Sequence, residues 1–423
     1  MKNFLFNIYD NYNTSRTEIT FLGIKLKFYN ERLIRIPDYT NALNKVKEKY
    51  KNKEKIRVAF YVSENAKWNA EELYKLLEQS EEFEPIVVVS LLSYVHEGDD
   101  VTRNNLQENY DFFKKSGKNV VKAYDKEKKE YIPLENFDID IIFYQQPWGI
   151  PDIHNIERTK DFALSCHISY GVVIFDCDLD YRPFFKKLFC YFASIEQMVE
   201  KMKEKGFFNT YAISFPKLDI YKSIKRTKKE EDKKTIIYAP HFSYQKNSLL
   251  KIGTFNRTGE QILEFAKQHP EYNWVFKPHP VLKNELYHDK KYGKKFVEKY
   301  YSEWAEIGEI YDQGNYFELF MNSDLLITDC CAFLLEYLPS LQPLIRLENQ
   351  GGLPFSVLGK ELINVVYRTK TFAGFEKIFI DIFQKNNDYL KEKRTKFINS
   401  IIEKKNSSEQ IVEILQGKIN EGK

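Results

Sequence analysis

The stretch SDLLITDCCAFLLEYLPSLQPLIRL, residues 323–347, decides the fold class of this chain. Leu325, Leu326 and Ile327 form a short apolar run that is typical of a buried strand. Apolar residues then recur at helical spacing over 333–338, and two prolines end this predicted helix. A second apolar run follows at 344–347. The pattern therefore predicts a strand–turn–helix–strand unit of a parallel sheet.

The turn inside this unit contains Thr328, Asp329, Cys330 and Cys331, which are small or polar. It leaves the strand at its carboxyl end, where open α/β sheets bind ligands, and it begins a helix whose free N–H groups attract phosphate. Glu336 lies further along the helix, where a carboxylate could accept both hydroxyls of a ribose. These features favour a nucleotide phosphate site. An ordinary unit of the same pattern that binds nothing is the competing interpretation.

Cys331 has two interpretations at this position. The start of a helix could lower the pKa of its thiol and make it reactive. The sequence favours the other interpretation, in which a small side chain lets a phosphate approach the backbone.

Length and composition restrict the class of protein. A chain of 423 residues is too long for one ordinary core, which predicts two domains, and 43% hydrophobic residues indicate a globular protein. A net charge of +3 gives no reason to expect a nucleic-acid partner. Five cysteines without a paired metal-ligand spacing fit reduced thiols in the cytoplasm. Since neither a signal peptide nor a membrane-spanning run is apparent, we expect a cytoplasmic protein, soluble or peripheral on the inner membrane.

Alternation of predicted strands and helices organises the chain into two α/β domains. We predict an N-terminal extension at 1–55, a Rossmann-like acceptor domain at 56–216, a Lys-rich linker at 217–234, a Rossmann-like donor nucleotide domain at 235–385 and C-terminal helices at 386–423. The extension either packs on a domain or contacts the membrane through its Lys and aromatic residues. Two such domains in succession suggest a GT-B-like fold with a central cleft.

Two further turns of the second predicted domain carry unusual polar residues after buried strands. One contains His241, and the other contains Lys277 and His279 in the sequence KPHP. Because the carboxyl ends of parallel strands share one edge, these residues should lie close to the turn at 328–331. Lys277 supplies a cation for a diphosphate, and His279 can donate to a phosphate oxygen or transfer a proton. No histidine pair has metal-ligand spacing, so we expect no metal.

In the first predicted domain, the strand at 138–144 ends in Gln145, Gln146 and Trp148. Acceptor binding and packing are the two interpretations of these side chains. His167 follows a predicted helix and precedes a predicted strand at 172–175. Its ring either acts on the acceptor or is packed near the edge of the sheet.

At these residues the sequence resembles the CDP-glycerol glycerophosphotransferase family of teichoic acid and capsule polymerases. The resemblance rests on YAPHFSYQ at 238–245, WVFKPHP at 274–280, and SDLLITD, FLLEYL and PLI in order between 323 and 345. It is clear over about 235–350, fainter over 56–180 and absent at both ends. Related capsule glycosyltransferases carry similar motifs.

The resemblance implies a GT-B fold with an activated donor bound to the second domain. The TD-x-S-S turn of the family matches residues 328–332, so Thr328, Asp329, Cys330 and Cys331 are expected at the donor. The two serine positions hold Cys331 and Ala332, which leaves the identity of the donor open.

The remaining site residues also follow from the resemblance. Glu336 takes the acidic ribose-binding position, and His279 takes the histidine position of the second motif. The WHG-T-P motif of the family falls loosely on 166–171, so His167 is the expected base. His241 is the next candidate for this role.

The resulting hypothesis is a transferase of bacterial cell-surface polymer assembly, for capsule or a teichoic-acid-like polymer. It would move a polyol phosphate such as glycerol phosphate from a CDP-linked donor to a hydroxyl of a glycan or lipid-linked acceptor, with release of CMP and without a cofactor. A capsule glycosyltransferase that uses a nucleotide sugar is the first alternative. A non-catalytic nucleotide- or glycan-binding subunit of a capsule assembly complex is the second.

Overall fold

The computed structural model describes residues 6–11, 16–21, 24–29, 36–93, 100–171, 174–175, 183–194, 196–245, 248, 250–312, 315–349, 353–402 and 406–421. The chain forms two compact units. The first contains residues 1–171, 178–217 and 405–423, and the second contains residues 172–177 and 218–404. Each unit has helices and its own parallel sheet.

The first unit begins with strands β1 (Phe6–Asn11), β2 (Arg16–Phe21) and β3 (Ile24–Tyr29) and helix α1 (Thr40–Lys51). It continues with β4 (Ile56–Val62), α2 (Glu71–Glu78), β5 (Phe83–Val89), α3 (Asp100–Lys115), β6 (Val120–Lys122), β7 (Tyr124–Asp125), β8 (Glu130–Tyr131) and β9 (Ile141–Tyr144). Next come α4 (Ile156–Thr159), β10 (Leu164–Ile168), α5 (Pro183–Lys186), β11 (Cys190–Ala193), α6 (Glu196–Glu204) and β12 (Thr210–Ala212).

The main sheet of the first unit is parallel, with the order β12-β11-β10-β9-β4-β5-β6. Strand β4 has the sequence IRVAFYV, and all of its residues except Arg57 are buried. Burial on both faces is expected for a parallel sheet that helices cover on both sides. Successive strands are added outward in opposite directions from β4 and β9, so the switch point of this sheet lies between them.

The second unit contains β13 (Thr235–Ala239), α7 (Phe255–Gln268), β14 (Asn273–Phe276), α8 (Leu282–His288), α9 (Gly293–Ile307), β15 (Gly308–Ile310), α10 (Phe317–Asn322) and β16 (Leu325–Thr328). It continues with α11 (Cys331–Glu336), β17 (Leu344–Leu347), α12 (Val357–Leu362), β18 (Tyr367–Thr369), α13 (Phe372–Phe383) and α14 (Lys391–Ile402). The last helix, α15 (Ser407–Asn420), belongs to the first unit.

The sheet of the second unit is also parallel, with the order β15-β14-β13-β16-β17-β18. Its switch point therefore lies between β13 and β16. Residues 323–347 form β16, α11 and β17, as their pattern predicts. Ligands of open α/β sheets bind at the carboxyl ends of the strands beside the switch point. We therefore expect a ligand at the turns after β13 and β16.

The predicted N-terminal extension contains a sheet of its own. Strands β1, β2 and β3 form an antiparallel meander. Five apolar side chains of this meander are between 50% and 64% exposed, namely Ile8, Phe21, Ile24, Leu26 and Phe28. Peripheral membrane contact by this segment stays a prediction. Of the helices that the structure describes, none is both long enough and apolar enough to cross a bilayer.

The predicted linker at 217–234 belongs to the second unit from residue 218 onward. Residues Pro216–Lys222 form a 3₁₀ helix. Arg226 donates to the carboxylate of Asp324 at 2.7 Å, and Lys228 pairs with the same carboxylate at 2.6 Å. Asp324 is 5% exposed and directly precedes β16. Two buried charge contacts thus attach this segment to the sheet.

The C-terminal region predicted at 386–423 contains the helices α14 and α15. The side chain of Asn406 accepts from the backbone N–H of Ser408 at 2.9 Å and caps the start of α15. Helix α15 packs against α1 and α2. Residues 172–173 of the strand predicted at 172–175 lie outside the described residues, and Phe175 forms a single bridge with Phe355 in the second unit.

Candidate functional site

Three turns meet at the switch point of the second sheet. They follow β13, β14 and β16, which are adjacent strands. The backbone N–H of His279 donates to the carbonyl oxygen of Pro240 at 3.0 Å. The hydroxyl of Thr328 donates to the carbonyl oxygen of Ala239 at 2.7 Å. Direct hydrogen bonds therefore connect the three turns at the carboxyl edge of the sheet, where the sequence predicts that they converge.

Asp329 connects two of these segments with the start of helix α7. Its Oδ1 accepts from the backbone N–H of His241 at 2.5 Å. Its Oδ2 accepts from the backbone N–H and the hydroxyl of Thr254 at 2.5 and 2.8 Å. The carboxyl is 2% exposed, and this burial raises its pKa to about 6. Both carboxylate oxygens of Asp329 thus accept hydrogen bonds from protein groups, so Asp329 holds these segments together. The sequence interpretation instead expects this side chain to contact the donor substrate.

Thr328 and Cys330 also shape the turn from within. The Oγ1 of Thr328, fully buried, accepts from the backbone N–H of Cys330 at 3.0 Å while it donates to the carbonyl of Ala239. Cys330 is 9% exposed. The hydroxyl of Thr328 is thus already bonded inside the protein, and donor contact by Thr328 and Cys330 stays a prediction.

Cys331 is partly exposed at the first position of α11. Desolvation of its thiol raises the pKa to about 11, and burial also raises the pKa of the Cys330 thiol. Both thiols are protonated at neutral pH. The alternative of a lowered thiol pKa is therefore wrong, and the interpretation of Cys331 as a small side chain that lets a phosphate approach the backbone stays a prediction.

Two histidine rings lie side by side at the turns after β13 and β14. The ring centroids of His241 and His279 are 4.8 Å apart. The Nδ1 of His241 accepts from the backbone N–H of Ser243 at 3.2 Å, and the Nδ1 of His279 accepts from that of Val281 at 3.2 Å. A neutral ring that accepts at Nδ1 carries its proton on Nε2, so we assign that tautomer to both.

The two histidines differ in their access to solvent. His241 is 5% exposed, and burial lowers its pKa to about 3, so its ring is neutral at physiological pH. The ring of His279 is partly exposed. His279 can therefore donate an Nε2–H to a ligand, while His241 packs beneath it.

Lys277 lies in an aromatic environment. It is 6% exposed, and its Nζ lies 4.6 Å from the ring centroid of Tyr316, 5.1 Å from that of Tyr311 and 5.9 Å from that of Phe333. The negative faces of aromatic rings stabilise a desolvated ammonium group. The structure thus places a buried cation beside the start of α11, as the sequence predicts for a phosphate site.

Glu336 is attached to the same environment through Tyr316. The Tyr316 hydroxyl donates to Oε2 of Glu336, and the hydroxyl of Tyr221 donates to the backbone carbonyl of Glu336 at 2.6 Å. The Glu336 side chain is 1% exposed. A ribose would have to displace Tyr316 to reach this carboxylate, so the ribose contact stays a prediction. Tyr316, which the sequence analysis missed, connects Glu336 to Lys277.

Gln146 and Trp148 belong to a cluster at the switch point of the first sheet. The Oε1 of Gln146 accepts from Nζ of Lys67 at 2.8 Å, and its Nε2 donates to the carbonyl of Trp148 at 2.9 Å. The same Nζ lies 5.7 Å from the ring of Trp148 and 5.4 Å from that of Tyr170. Lys67 follows β4, so this cluster joins the turns after β4 and β9. Its aromatic rings and polar groups suit a hydroxylated ligand, and Lys67 and Tyr170 were not predicted.

Gln145 lines a pocket in the first unit. Trp68 and Asn69 are among the other residues that line this pocket. The Nε2 of Gln145 donates to the carbonyl of Glu64 at 3.3 Å, which fixes the orientation of the amide. Its Oε1 is buried and has no hydrogen-bond partner in the described part of the chain. This oxygen can accept a hydrogen bond from a hydroxyl.

His167 lies inside strand β10, not in the loop after it. It is 2% exposed, and its Nδ1–H donates to the carbonyl of Tyr144 at 2.7 Å. Its ring packs against Phe185 and Tyr191 at centroid distances of 5.2 and 5.6 Å. Burial lowers its pKa to about 4. Of the two sequence interpretations of His167, a base that acts on the acceptor and a packed ring, the structure has the packed ring.

Three buried histidines should make the protein sensitive to mild acid. Burial lowers the pKa of His154 and His167 to about 4 and that of His241 to about 3, below 6.5. The unfolded chain therefore binds protons first, and these groups lose their stabilising contribution as the pH falls from about 6.5 towards 4. The raised pKa of Asp329 has the opposite effect, because its contribution to stability increases as the pH falls from about 6 to 4. Asp329 is a single group, however, and the histidines are three.

We expect the urea midpoint to fall when the pH is lowered from 7 to 5, and His167→Leu should reduce this dependence. Each histidine contributes up to about 1.4 kcal/mol per pH unit to the free energy of unfolding. Urea denaturation at several pH values measures the slope. His288→Leu, at an exposed position, is the matched control and should leave it unchanged. An unchanged slope in His167→Leu would show that this ring is not held neutral by the fold.

Comparison with protein-family models identifies the part of the chain that carries the motifs. Residues 198–353 match the model described as CDP-Glycerol:Poly(glycerophosphate) glycerophosphotransferase. This range contains β13, β14 and β16 with their three turns. No curated protein matches the sequence.

Comparison with solved structures concerns the fold as a whole. A variant of the wall teichoic acid polymerase TagF is 14% identical, with a TM-score of 0.54, over 90% of this chain and 94% of its own. UDP-GlcNAc 2-epimerase from Neisseria meningitidis bound to UDP-GlcNAc is 13% identical, also with a TM-score of 0.54, over 86% of this chain and 100% of its own. At such low identity these similarities establish the GT-B fold alone. Together with the family match over residues 198–353, they confirm the predicted resemblance to the CDP-glycerol glycerophosphotransferase family and the predicted GT-B fold.

Proposed function

We propose that this transferase moves a polyol phosphate, such as glycerol phosphate, from a CDP-linked donor to an acceptor hydroxyl in the assembly of a cell-surface polymer. The observation that carries the proposal is the pair Lys277 and His279, which lie on one turn at the switch point of the second sheet. The family match includes this turn. The similar fold of the polymerase TagF, one structure of which was soaked with CDPG, supports the same donor class.

The donor diphosphate contacts Lys277 and His279. The ammonium group of Lys277 neutralises charge, and its burial among aromatic rings strengthens this attraction because little water screens it. The Nε2–H of His279 donates to a phosphate oxygen. Both groups are held in place before the donor binds, Lys277 by its rings and His279 by its backbone bond to Pro240. Such preorganised donors stabilise charge that develops during reaction.

The reaction is a substitution at phosphorus. The acceptor oxygen forms a bond to the phosphorus that carries the polyol, the bond from this phosphorus to the bridging oxygen breaks, and CMP leaves with the electron pair. The acceptor hydroxyl releases its proton to water. The tautomer of His279 leaves no acceptor at Nε2, and His167 and His241 are buried, so we assign electrostatic stabilisation to His279 and assign the base to none of the three.

We assign binding of the acceptor to Gln145, Gln146 and Trp148 of the first unit. The unpaired Oε1 of Gln145 would accept from a hydroxyl of the acceptor. The ring of Trp148 offers an apolar face for a sugar or polyol. The acceptor is a glycan or a lipid-linked chain, and the exposed apolar side chains of β2 and β3 would allow work beside the cytoplasmic face of the inner membrane.

Product analysis with CDP-glycerol and nucleotide sugars tests the proposed function. Release of CMP together with a glycerol phosphate adduct supports it. Release of a nucleoside diphosphate from a nucleotide sugar would instead indicate a glycosyltransferase. Nucleotide binding without release of either product would indicate a non-catalytic subunit.

Lys277→Met should weaken CDP binding by roughly 10- to 100-fold, because an interaction with a charged group is lost. Methionine keeps the length and the contacts with the aromatic rings while removing the charge. Isothermal titration with CDP measures the effect. Lys283→Met is the control, since Lys283 also lies over an aromatic ring, that of Tyr301 at 4.9 Å, but on the exposed start of α8. Equal affinity of Lys277→Met and the wild type would remove Lys277 from the donor site.

A further inference from the structure

A second buried cation lies at the same edge of the sheet as Lys277. Arg346 is in β17, opposite Thr328 of β16, and Thr328 is opposite Ala239 of β13. Phe276 of β14 is opposite Tyr238 of β13. Lys277 and Ala239 are the next residues of these two segments, so Lys277 continues the same row. Residues in register across a sheet point to the same face. Lys277, Ala239, Thr328 and Arg346 therefore lie in one row, which continues to Arg368 of β18. The small residues Ala239 and Thr328 separate Lys277 from Arg346.

The distance across this row suits a diphosphate with its substituents. Neighbouring strands are about 4.8 Å apart, so the Cα atoms of Lys277 and Arg346 are roughly 14 Å apart. Both side chains are long enough to reach inward over Ala239 and Thr328. The turn at 328–331 rises between them and carries Cys331, which is partly exposed.

Arg346 keeps an excess of positive charge although it is paired. Its Nη1 donates to Oε1 of Glu348 at 3.0 Å, and Nε of Arg368 donates to the same oxygen at 2.7 Å. Two guanidinium groups thus share one carboxylate, which gives the cluster a net charge of about +1 because arginine stays protonated. Arg346 is 7% exposed, so this charge is poorly screened.

The guanidinium group is also fixed in orientation. Its Cζ lies 4.8 Å from the ring centroid of Phe355, and that ring stacks on Phe175 at 5.4 Å. The charge of Arg346 also interacts with the carboxylate of Asp329 in the turn. Cys331 and the neighbouring Ala332 have no hydroxyl, so the side chains at these two positions cannot donate O–H bonds to a phosphate there. Arginine is the side chain best suited to replace such donors, since it offers several N–H groups in one plane.

We propose that Arg346 binds a phosphate of the donor diphosphate on the side of the turn opposite to Lys277. The inference rests on the proposed function and adds a residue to its donor site. Arg346 and Lys277 then hold the diphosphate from its two ends, and Arg368 serves to keep Glu348 from neutralising Arg346 completely. The competing interpretation is a purely structural ion pair among Arg346, Glu348 and Arg368.

Binding of inorganic pyrophosphate, CDP and cytidine to single variants separates these interpretations. Arg346→Gln should weaken pyrophosphate and CDP binding about 10-fold or more, since one charged interaction is lost, and should change cytidine binding less than twofold. Arg346→Lys should retain part of the affinity. Arg368→Gln is the matched control, because it removes a charge from the same carboxylate at a more exposed position one strand further away. It should change pyrophosphate affinity only two- to threefold.

A second variant keeps the proposal testable if Arg346→Gln does not fold. Glu348→Gln preserves shape and frees the positive charge, so pyrophosphate should bind severalfold more tightly. Unchanged binding in either variant, or equal losses in Arg346→Gln and Arg368→Gln, would overturn the proposal, as would a wild type that does not bind pyrophosphate. A wild type that binds pyrophosphate through Arg346 but does not turn over CDP-glycerol would leave the inference standing and refute the proposed function.

Discussion

Replacing His279 by alanine is expected to lower kcat by about 10²–10³-fold, the usual cost of losing one preorganised donor to a charged transition state. The ring is positioned by its backbone bond to Pro240, by the contact with His241 and by the N–H of Val281 on Nδ1. In the proposed mechanism the Nε2–H also donates to phosphate in the ground state, so donor affinity should decrease as well. Steady-state rates with CDP-glycerol and titration with CDP measure the two effects separately.

His279→Gln distinguishes a hydrogen-bond donor from an acid or base. An amide can donate to a phosphate oxygen but cannot transfer a proton at neutral pH, so this variant should recover a substantial part of the rate lost in His279→Ala. If it is as slow as the alanine variant, His279 transfers a proton and the tautomer assignment is wrong. His288→Ala, at an exposed position of α8, controls for the loss of a histidine in this unit and should have normal rates.

The fold was predictable because it depends on local patterns. Short apolar runs such as TIIYA at 235–239 and LLI at 325–327 are long enough for buried strands and too short for helices, and polar turns separate them from helical repeats. Once strands and helices alternate, a parallel sheet follows, and with it the meeting of His241, Lys277 and the turn at 328–331 at one edge. The structure has all of these features.

The direction of the polar side chains was not predictable in the same way. Asp329 and Thr328 look like ligand contacts in the sequence, yet their partners are Thr254 and Ala239, which lie about 75 and 89 positions away. No local pattern indicates such partners. His167 shows a related difficulty, because a histidine one residue before the end of a strand cannot be told from a loop histidine without the exact strand boundary. Tyr316 similarly gives no sign in the sequence that it contacts Glu336.

Arg346 is the exception among the residues that the sequence analysis missed. A charged residue in the otherwise apolar strand LIRL is unusual, because a buried arginine is costly unless it is paired. Its position two residues before Glu348 would have suggested the partner. The signal was therefore present, although its connection to the turn at 328–331 required the register of β16 and β17.

Asp329→Ala should lower the free energy of unfolding by about 3–5 kcal/mol, the largest effect on stability that we expect at this site. The substitution leaves two buried backbone N–H groups, those of His241 and Thr254, without their acceptor, and each such group costs about 1–3 kcal/mol. It also removes the bond to the hydroxyl of Thr254. Urea denaturation of the purified protein measures the loss. Donor binding should weaken as well, because the segment that carries His241 is no longer attached to the turn after β16.

Asp329→Asn separates the shape of this side chain from its charge. One amide oxygen can replace one acceptor, but the NH₂ group then faces an N–H donor, so about half of the loss should remain. Because the pKa of Asp329 is raised to about 6, the ionised form is disfavoured in the folded protein, and its contribution decreases as the pH rises from about 4 to 6. The stability difference between wild type and Asp329→Asn should therefore shrink over that range. Asp232→Ala, at an exposed aspartate, should change stability by less than about 0.5 kcal/mol at any of these pH values. Equal stability of Asp329→Ala and this control would mean that the turns are held together by the Thr328 and His279 bonds alone.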